Sequence, residues 1–505
     1  MAWSIVSVLM ASWALMVPLS ASMDEPAHIV KAASVVRGQF VGEPGTAGHI
    51  VQVPRYIALS QEITCTAFQE DRSAQCQDLD GANDSTIVDS TTTAGQYNPI
   101  YYAIVGLPSL VFNDISGIYA MRIVSAILTS FFIAAAVAMA WSWRPRAYAA
   151  IGVALGLTPS MLFLGGALNP NAVETSATLA VFVAMLSIVL QRKTHIPLLA
   201  ERCVVIVLAA AIGGNTRGLS PLWMAIALLL PLCMAPWREV WPLFKRKAVV
   251  ITIVLVGLAM AFALYWIAVS GSLNGGAEGI NSDLQFPAKG EPFHVGFRIM
   301  ITGFFEMNQS LLGSFGWLEV EAPSVVFFVW GGVISAFILL SLTVLKRRPL
   351  FVTGLLMVGF LIIPAFVQGA YITGGGIIWQ GRYALPLFAM VMFSMVAFSG
   401  KAIAQLPLGI HRRALTIVLV AIFATQIAAF LQVLARFTAG MDVSWHTALL
   451  HPEWVPPLGV WGVLALYSAA SLVATVVLLR AVANDEDLGS RLETDKQPAK
   501  QPVRA

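Results

Sequence analysis

Apolar blocks of roughly 18–23 residues recur along this chain, and each is long enough to cross a hydrocarbon core as a helix. In lipid every backbone N–H and C=O must be satisfied inside the spanning structure, which leaves helices or closed barrels. Continuous apolar runs lack the period-two alternation of barrel strands. The 505 residues are 58% hydrophobic and only 11% charged, about half the charged share of a soluble domain. The expected fold class is therefore an all-α polytopic membrane protein with about 12 transmembrane helices. The spans are expected near 3–22, 118–141, 147–166, 172–190, 202–214, 219–235, 248–270, 324–345, 350–369, 383–400, 414–434 and 458–480.

Basic residues orient the set, because short cytoplasmic loops carry an excess of Lys and Arg. The loops "WRPR" (143–146), "QRK" (191–193), "KRK" (245–247), "KRRP" (346–349) and "HRR" (411–413) all fall on one side. That side is expected to be cytoplasmic, with both termini. Residues 1–480 form one transmembrane domain, and residues 481–505 are expected to be a disordered cytoplasmic tail. The loop 23–98 is then large, extracytoplasmic and acidic, with ten Asp or Glu against four Lys or Arg, and its second half reads as irregular. Cys65 and Cys76 lie in it, candidates for a disulfide in an oxidising compartment. A second outer segment, 271–323, contains "VGFRIMITGFFEMNQSLL", which suits a surface helix. The first block could also be a signal peptide, but it lacks a basic n-region and is longer than a usual apolar core.

Signatures of soluble catalysis are missing from the sequence: no phosphate-binding glycine loop, no H-E-x-x-H, no G-x-S-x-G. Chemistry on the outer side would need an activated, membrane-borne substrate. The segment "SMDEPAH" (22–28) ends the first apolar block. Pro26 suits a first helical turn, and Asp24 and His28 are then i and i+4 on one face. Asp24, with Glu25 and His28 in support, could act as a general base or hold a divalent cation against a phosphate. N-capping plus an interfacial charge cluster accounts for the same residues equally well.

Other polar residues sit at the outer ends of spans. Arg217 in "GGNTRGLSP" and Arg382 in "WQGRYALPL" lie against apolar helices, where an arginine is costly unless it meets a partner or an anion. Guanidinium matches phosphate in a bidentate way, so the pair suggests a lipid-phosphate site. Snorkelling at the interface is the plainer account. "ALNPNAVE" places Asn169, Asn171 and Glu174 at an outer turn. Tyr97, Tyr101 and Tyr102 fit an interfacial aromatic belt or the lining of a sugar site. Trp317 in "FGWLE" and Glu306, the one acid on the amphipathic run, carry the same two readings.

"DEPAH", "YNPIYY", "MRIVSA", "NPNA", "FGWLE" and "QGRYALP", in this order, resemble the DUF2142 family of bacterial membrane proteins over residues 22–390. That family looks like a branch of the GT-C glycosyltransferases. The resemblance implies a GT-C-like fold and transfer of a sugar from a polyprenyl-phosphate-linked donor outside the bacterial cytoplasmic membrane. The acceptor would be an envelope glycan, lipid or protein. By this resemblance Asp24 is the catalytic acid–base residue. Arg382, flanked by Gln380 and Tyr383, holds the donor phosphate, and Arg217 stands where a base is expected. Where "NPD" would be expected this chain has "NPN", so Asn171 replaces an acid. No cofactor is expected, a divalent cation being the alternative, and the partners are membrane lipids rather than nucleic acid. The rival readings are a transporter or flippase, which would place ionisable groups at the membrane midplane, and a glycan polymerase or ligase.

Overall fold

The computed structural model describes residues 1–192, 198–271, 287–405 and 407–494, with side chains to 485 apart from that of 408. The N-terminal part of the expected outer segment, 272–286, and the last part of the tail, 495–505, lie outside the described residues. Among the described residues eight helices are long and apolar enough to cross a membrane, or ten if each of two bent pairs is one span. The chain is a multi-pass membrane protein.

The count falls short of twelve for local reasons. Helix α1 (Ala2–Met16) has 15 residues, below the roughly 20 a perpendicular span needs. It stops because Val17 turns extended, and Pro18 follows with no N–H to continue the ladder. The expected fifth span is the 14-residue helix Leu199–Ile212. The third bends by 66° between Ala154 and Pro159, and the sixth, Ser220–Met234, ends at a 108° turn into Trp237–Lys245. α1 nonetheless belongs to the core. Trp13 is fully buried; it stacks on Phe315 and meets Phe163, Phe430 and Tyr467 edge-on, all with ring centres within 6 Å.

The segment between α1 and the first long span is folded, not irregular. Helix α2 (Glu25–Val35) is buried along its whole length. An antiparallel sheet follows in the order β1 (Glu43–Gly45), β2 (Gly48–Pro54), β3 (Ile87–Thr92). The acidic stretch "STIVDSTT" thus supplies an edge strand, its Val88 paired with Val53 and its Thr91 with Ile50. These strands, and the two-residue pair Ser314–Phe315 and Val320–Glu321, correct the all-α expectation. Cys65 and Cys76 are joined by a disulfide.

Two further expectations change. The amphipathic run breaks at Gly303 and Gln309 into helices Phe293–Thr302, Phe304–Asn308 and Ser310–Gly313. The first of these packs on the long helix Arg347–Gly375 rather than standing alone: Gly296 lies against the Gln368 carbonyl oxygen and the Gly369 Cα, and Gly369 admits Phe293. The tail is helical beyond Arg480, because Gly459–Thr494 is one continuous helix. Asp485 on it accepts a 2.6 Å bond from the Ala147 N–H.

Successive long helices run alternately toward and away from one end of the bundle. The C-terminus of α1, the N-termini of Ser116–Ala140 and Pro170–Leu190, and the C-terminus of Leu408–Ala439 all meet there. The basic turns around Arg144, Arg192 and Arg347 lie at the opposite end.

A candidate active site at one end of the bundle

The sharp exit from α1 decides where the two adjacent carboxylates point. Ser20 and Asp24 both take positive φ, near 60°, a region that Asp and Asn enter at lower cost than most residues. Asp24 stands at the N-cap position of α2, yet its side chain makes no capping bond. Its carboxylate instead meets the guanidinium of Arg382 at 2.5 Å. The capping account of Asp24 therefore fails. Arg382 is nearly buried, whereas the Asp24 side chain is 46% exposed. A half-open carboxylate among buried groups is what a site facing a substrate requires.

Glu25 points the other way. It and Arg122 are both fully buried and form an ion pair at 2.5 Å. Glu25 also accepts from the N–H groups of Ser20 (3.2 Å) and Leu168 (2.9 Å). Arg122 donates onward to the carbonyl oxygens of Ala14, Val17 and Pro18. Every oxygen and nitrogen of the pair is thus used in fixing the loop that ends α1. Glu25 is a structural anchor, and its expected place beside the reacting groups is corrected.

Arg382 comes from a tight turn, Gly381–Ala384. A Cβ on Gly381 would lie 2.7 Å from the Leu311 nitrogen and 3.1 Å from the Asn308 Cα, so only glycine fits there. The next residue, Tyr383, places its ring between two cations. The Arg217 guanidinium lies 4.2 Å from the ring centre and that of Arg382 5.3 Å, within cation–π range. The Tyr97 ring centre lies 5.9 Å from the Arg217 guanidinium. Arg217 also donates to the Asn171 side-chain oxygen. Among the described residues no carboxylate is in ion-pair contact with Arg217. Glu174 is nearby, but its oxygen accepts from Ser220 at 2.5 Å.

His28 shares the Asp24 side of α2, as the i, i+4 spacing predicts. Its Nδ1 bonds the Tyr102 hydroxyl at 2.8 Å, and its ring lies 5.8 Å from that of Tyr97. Burial pushes the imidazole down to about 3 despite the charge on Asp24, so it is neutral at pH 7. Burial opposes the charge on Asp24 too, but Arg382 and the other neighbouring groups, Arg217 among them, together hold the carboxyl below the usual aspartate range. A narrow crevice beside Arg217, with room for about one water, is lined by Tyr97, Asn98, Asn215 and Trp266. A larger cavity, about 940 Å³, is wholly apolar and lies at the opposite end, between α1 and helices Ser116–Ala140 and Arg146–Ala154.

The structure brings together Asp24, His28, Arg217, Arg382, Tyr383 and Tyr97, with Gln380 adjoining. Asn169 borders the group as the cap of Pro170–Leu190, its amide reaching the Met23 carbonyl oxygen at 3.4 Å. Tyr101 is left out: it is buried with its hydroxyl on Ser125 at 2.9 Å. Trp317 acts one step away, its indole N–H donating to the Ser20 carbonyl oxygen at 3.1 Å. Glu306 is exposed on the helix Phe304–Asn308, apart from the group. Arg122, which anchors Glu25, is the residue that residue-by-residue reading passes over. Its only sequence signal is membership of the ordered motifs. Among the described residues no three His, Cys, Asp or Glu side chains gather as metal ligands.

The sequence model of one family, described as "Predicted membrane protein (DUF2142)", matches residues 8–392. Comparison with curated proteins gives no match. Among solved structures, ArnT from Cupriavidus metallidurans bound to undecaprenyl phosphate aligns with a TM-score of 0.44 and 12% identity, covering 96% of this chain and 77% of that one. The apo state of the same protein aligns with a TM-score of 0.38 and 13% identity, covering 91% and 76%.

Proposed function

Since this chain belongs to the DUF2142 family, and its polar cluster is built for an anion beside a base, we propose that it is a GT-C-like membrane glycosyltransferase. It would move a sugar from a polyprenyl-phosphate donor to an envelope glycan, lipid or protein. The carrying observation is the half-exposed Asp24 carboxylate, held against buried Arg382 and one tyrosine ring from Arg217. The positive-inside rule assigns the basic turns to the cytoplasm, so the cluster faces out.

In the transfer, the acceptor hydroxyl oxygen attacks the sugar C1 from the face opposite the phosphate, and Asp24 takes the hydroxyl proton. The bond from C1 to the phosphate oxygen breaks, and its electron pair leaves with the polyprenyl phosphate. Arg382 and Arg217 meet the charge gained by that leaving group. Such preorganised donors are worth about 10²–10³ in rate each. Asp24 paired with Arg382 is a weak base, so the resting pair must loosen. A donor phosphate that draws Arg382 to itself frees Asp24 and makes it more basic. His28, neutral and fixed through Tyr102, positions the Asp24 side of α2. A transporter or flippase would need its ionisable groups at mid-helix, whereas these stand at helix ends.

The test is transfer from polyprenyl-phosphate sugars in membranes carrying Asp24→Asn. Loss of transfer by about 10²-fold or more, at normal expression, is expected of a general base. Undiminished transfer removes Asp24 from the mechanism, and uptake or flipping by purified protein in liposomes without glycosyl transfer selects the rival.

A further inference from the structure

The stretch leading into Arg382 carries polar atoms that the phosphate reading does not use. Residues 378 and 379 are held by Gln368, whose side-chain oxygen accepts from both of their N–H groups at 3.0 Å. Gln380 is extended. The Gly381 N–H then donates to the Ser310 hydroxyl at 2.9 Å, and the missing Cβ of Gly381 lets the strand lie directly on Asn308. Along this stretch, and on the residue packed against Gly381, four side-chain atoms are buried without a protein partner: Asn308 Oδ1, Trp379 Nε1, Gln380 Oε1 and Arg382 Nε. The Asn308 orientation is fixed, because its Nδ2 donates to the Phe304 carbonyl oxygen at 2.8 Å and only the carbonyl end is left over.

Buried polar groups in native proteins are nearly always paired, and leaving one unpaired costs about 1–3 kcal/mol. Among the described residues 24 buried side-chain atoms lack a protein partner, and four of them fall together on residues that adjoin Arg382 in sequence or pack on Gly381; that concentration marks a place that a ligand completes. Of the four, two are acceptors and two are donors. An anion would be repelled by the two amide oxygens, and an apolar chain would satisfy none of the four. Hydroxyl groups, each both donor and acceptor, satisfy all of them. Trp379, packed edge-on to Tyr383 at 5.7 Å, adds an aromatic wall of the kind that suits a sugar face.

We propose that Asn308 and Gln380, with Trp379, form the subsite that binds the hydroxyl groups of the transferred sugar and selects its identity. This rests on the reading of Arg382 as a phosphate ligand. The anomeric oxygen of a glycosyl phosphate is itself a phosphate oxygen, so the ring must lie within a few ångströms of that guanidinium. The Arg382 Nε hydrogen points the same requirement at the junction between phosphate and sugar.

The test uses full-length protein in detergent and measures affinity for bare polyprenyl phosphate and for its hexosyl and pentosyl phosphodiesters. Wild type should bind one glycosyl diester at least tenfold better than the others. Asn308→Leu and Gln380→Leu should lose that preference, tenfold or more, while holding the bare phosphate within about twofold, which also reports intact folding. Asn308→Asp, which keeps an acceptor oxygen, should retain most of it. Arg382→Ala should weaken all ligands together. The subsite is overturned if the two leucine variants keep the diester preference. It is equally overturned if they lose bare phosphate in parallel, or if only the acceptor KM changes, which would assign the hydroxyls to the acceptor. Binding of bare phosphate with no diester preference in wild type refutes the subsite alone, whereas no binding of phosphate at all refutes the transferase reading beneath it.

Discussion

Replacing Glu25 by Gln separates the two adjacent carboxylates by experiment. Glu25 accepts four bonds, two from Arg122 and one each from the N–H groups of Ser20 and Leu168. Glutamine keeps one acceptor oxygen. Its amide nitrogen would face either the Arg122 and Ser20 donors or the Arg122 and Leu168 donors, so two bonds become donor–donor contacts. The Arg122 charge stays fully buried with only carbonyl oxygens around it. Breaking a buried pair from one side costs about 3–5 kcal/mol, and two lost charge-assisted bonds at about 1.5–3 kcal/mol each give the same range. Glu25→Gln should therefore lower the thermal midpoint and the yield of monodisperse protein in detergent. The fraction that folds should still transfer sugar at near wild-type turnover. Asp24→Asn is the mirror image. Its carboxylate is 46% exposed, so a stability cost of only about 1 kcal/mol is expected, with transfer falling by about 10²-fold or more. Thermal unfolding and single-turnover transfer on the same preparations read both quantities. A Glu25→Gln protein of normal stability but without transfer refutes the assignment of Glu25 as an anchor.

The remaining predictions concern charge, disulfide and pH. Asn171→Asp sets a carboxylate against Arg217 and should raise the donor KM about tenfold with little change in kcat; unaltered donor affinity shows that Arg217 does not meet the phosphate. Cys65→Ser with Cys76→Ser should cost about 2–4 kcal/mol, because the bridged loop supplies three carbonyl oxygens, of Thr66, Gln69 and Arg72, to buried Arg436. Reducing agent should lower the midpoint of wild type and leave the double variant unmoved. Burial pushes Lys31 from 10.5 down to about 7, so the unfolded chain holds the extra proton between those values. Stability should thus rise from pH 7 toward 10.5 by up to about 1.4 kcal/mol per unit from this group, and Lys31→Met should flatten the rise. His28, lowered from 6.5 to about 3, has the same sign in acid: its contribution is complete above 6.5 and is lost as pH falls toward 3. His28→Gln should widen acid tolerance.

Much of the site was legible because a membrane-spanning chain has few places for polar side chains. Asp24, Arg217 and Arg382 each lie at the end of an apolar block, and parity of the spans puts all three at one end before any distance is known. The tyrosines beside them follow from the same rule. What the pattern could not give is direction within that end. Asp24 and Glu25 are adjacent acids with equal claims in one dimension. The left-handed turn at Asp24 sends one toward Arg382 and the other toward Arg122, and that turn is a property of the loop between Val17 and Asp24. Arg122 shows the limit from the other side. It lies seven residues into the helix Ser116–Ala140, where an unpaired arginine is costly, so a partner acid was required, but the sequence offers several.

The same reasoning explains why eight to ten rather than twelve helices are long and apolar enough to span among the described residues, while Asp24, His28, Arg217 and Arg382 still come together. Hydropathy measures how apolar a stretch is and says little about whether its backbone stays helical. Residues 17–22 are apolar enough to extend α1, and "GVALGLTPS" is apolar enough to run straight. Pro18 and Pro159 remove a backbone donor in each, and the chain breaks or bends there. These breaks have a role in the fold. By ending α1 early, the chain leaves an extended loop from Val17 to Asp24 that can be tied down from several sides: by Arg122 at Ala14, Val17 and Pro18, by Trp317 at Ser20, and by Gly316 at Met23 through a 3.0 Å backbone bond. Trp317 is itself held by Glu319, which pairs with Arg436 at the end of Leu408–Ala439. A continuous first helix would carry Asp24 onward along its axis with no such ties. The short first helix is thus what allows a carboxylate at a positive-φ position to be aimed at an arginine from a turn 358 residues away.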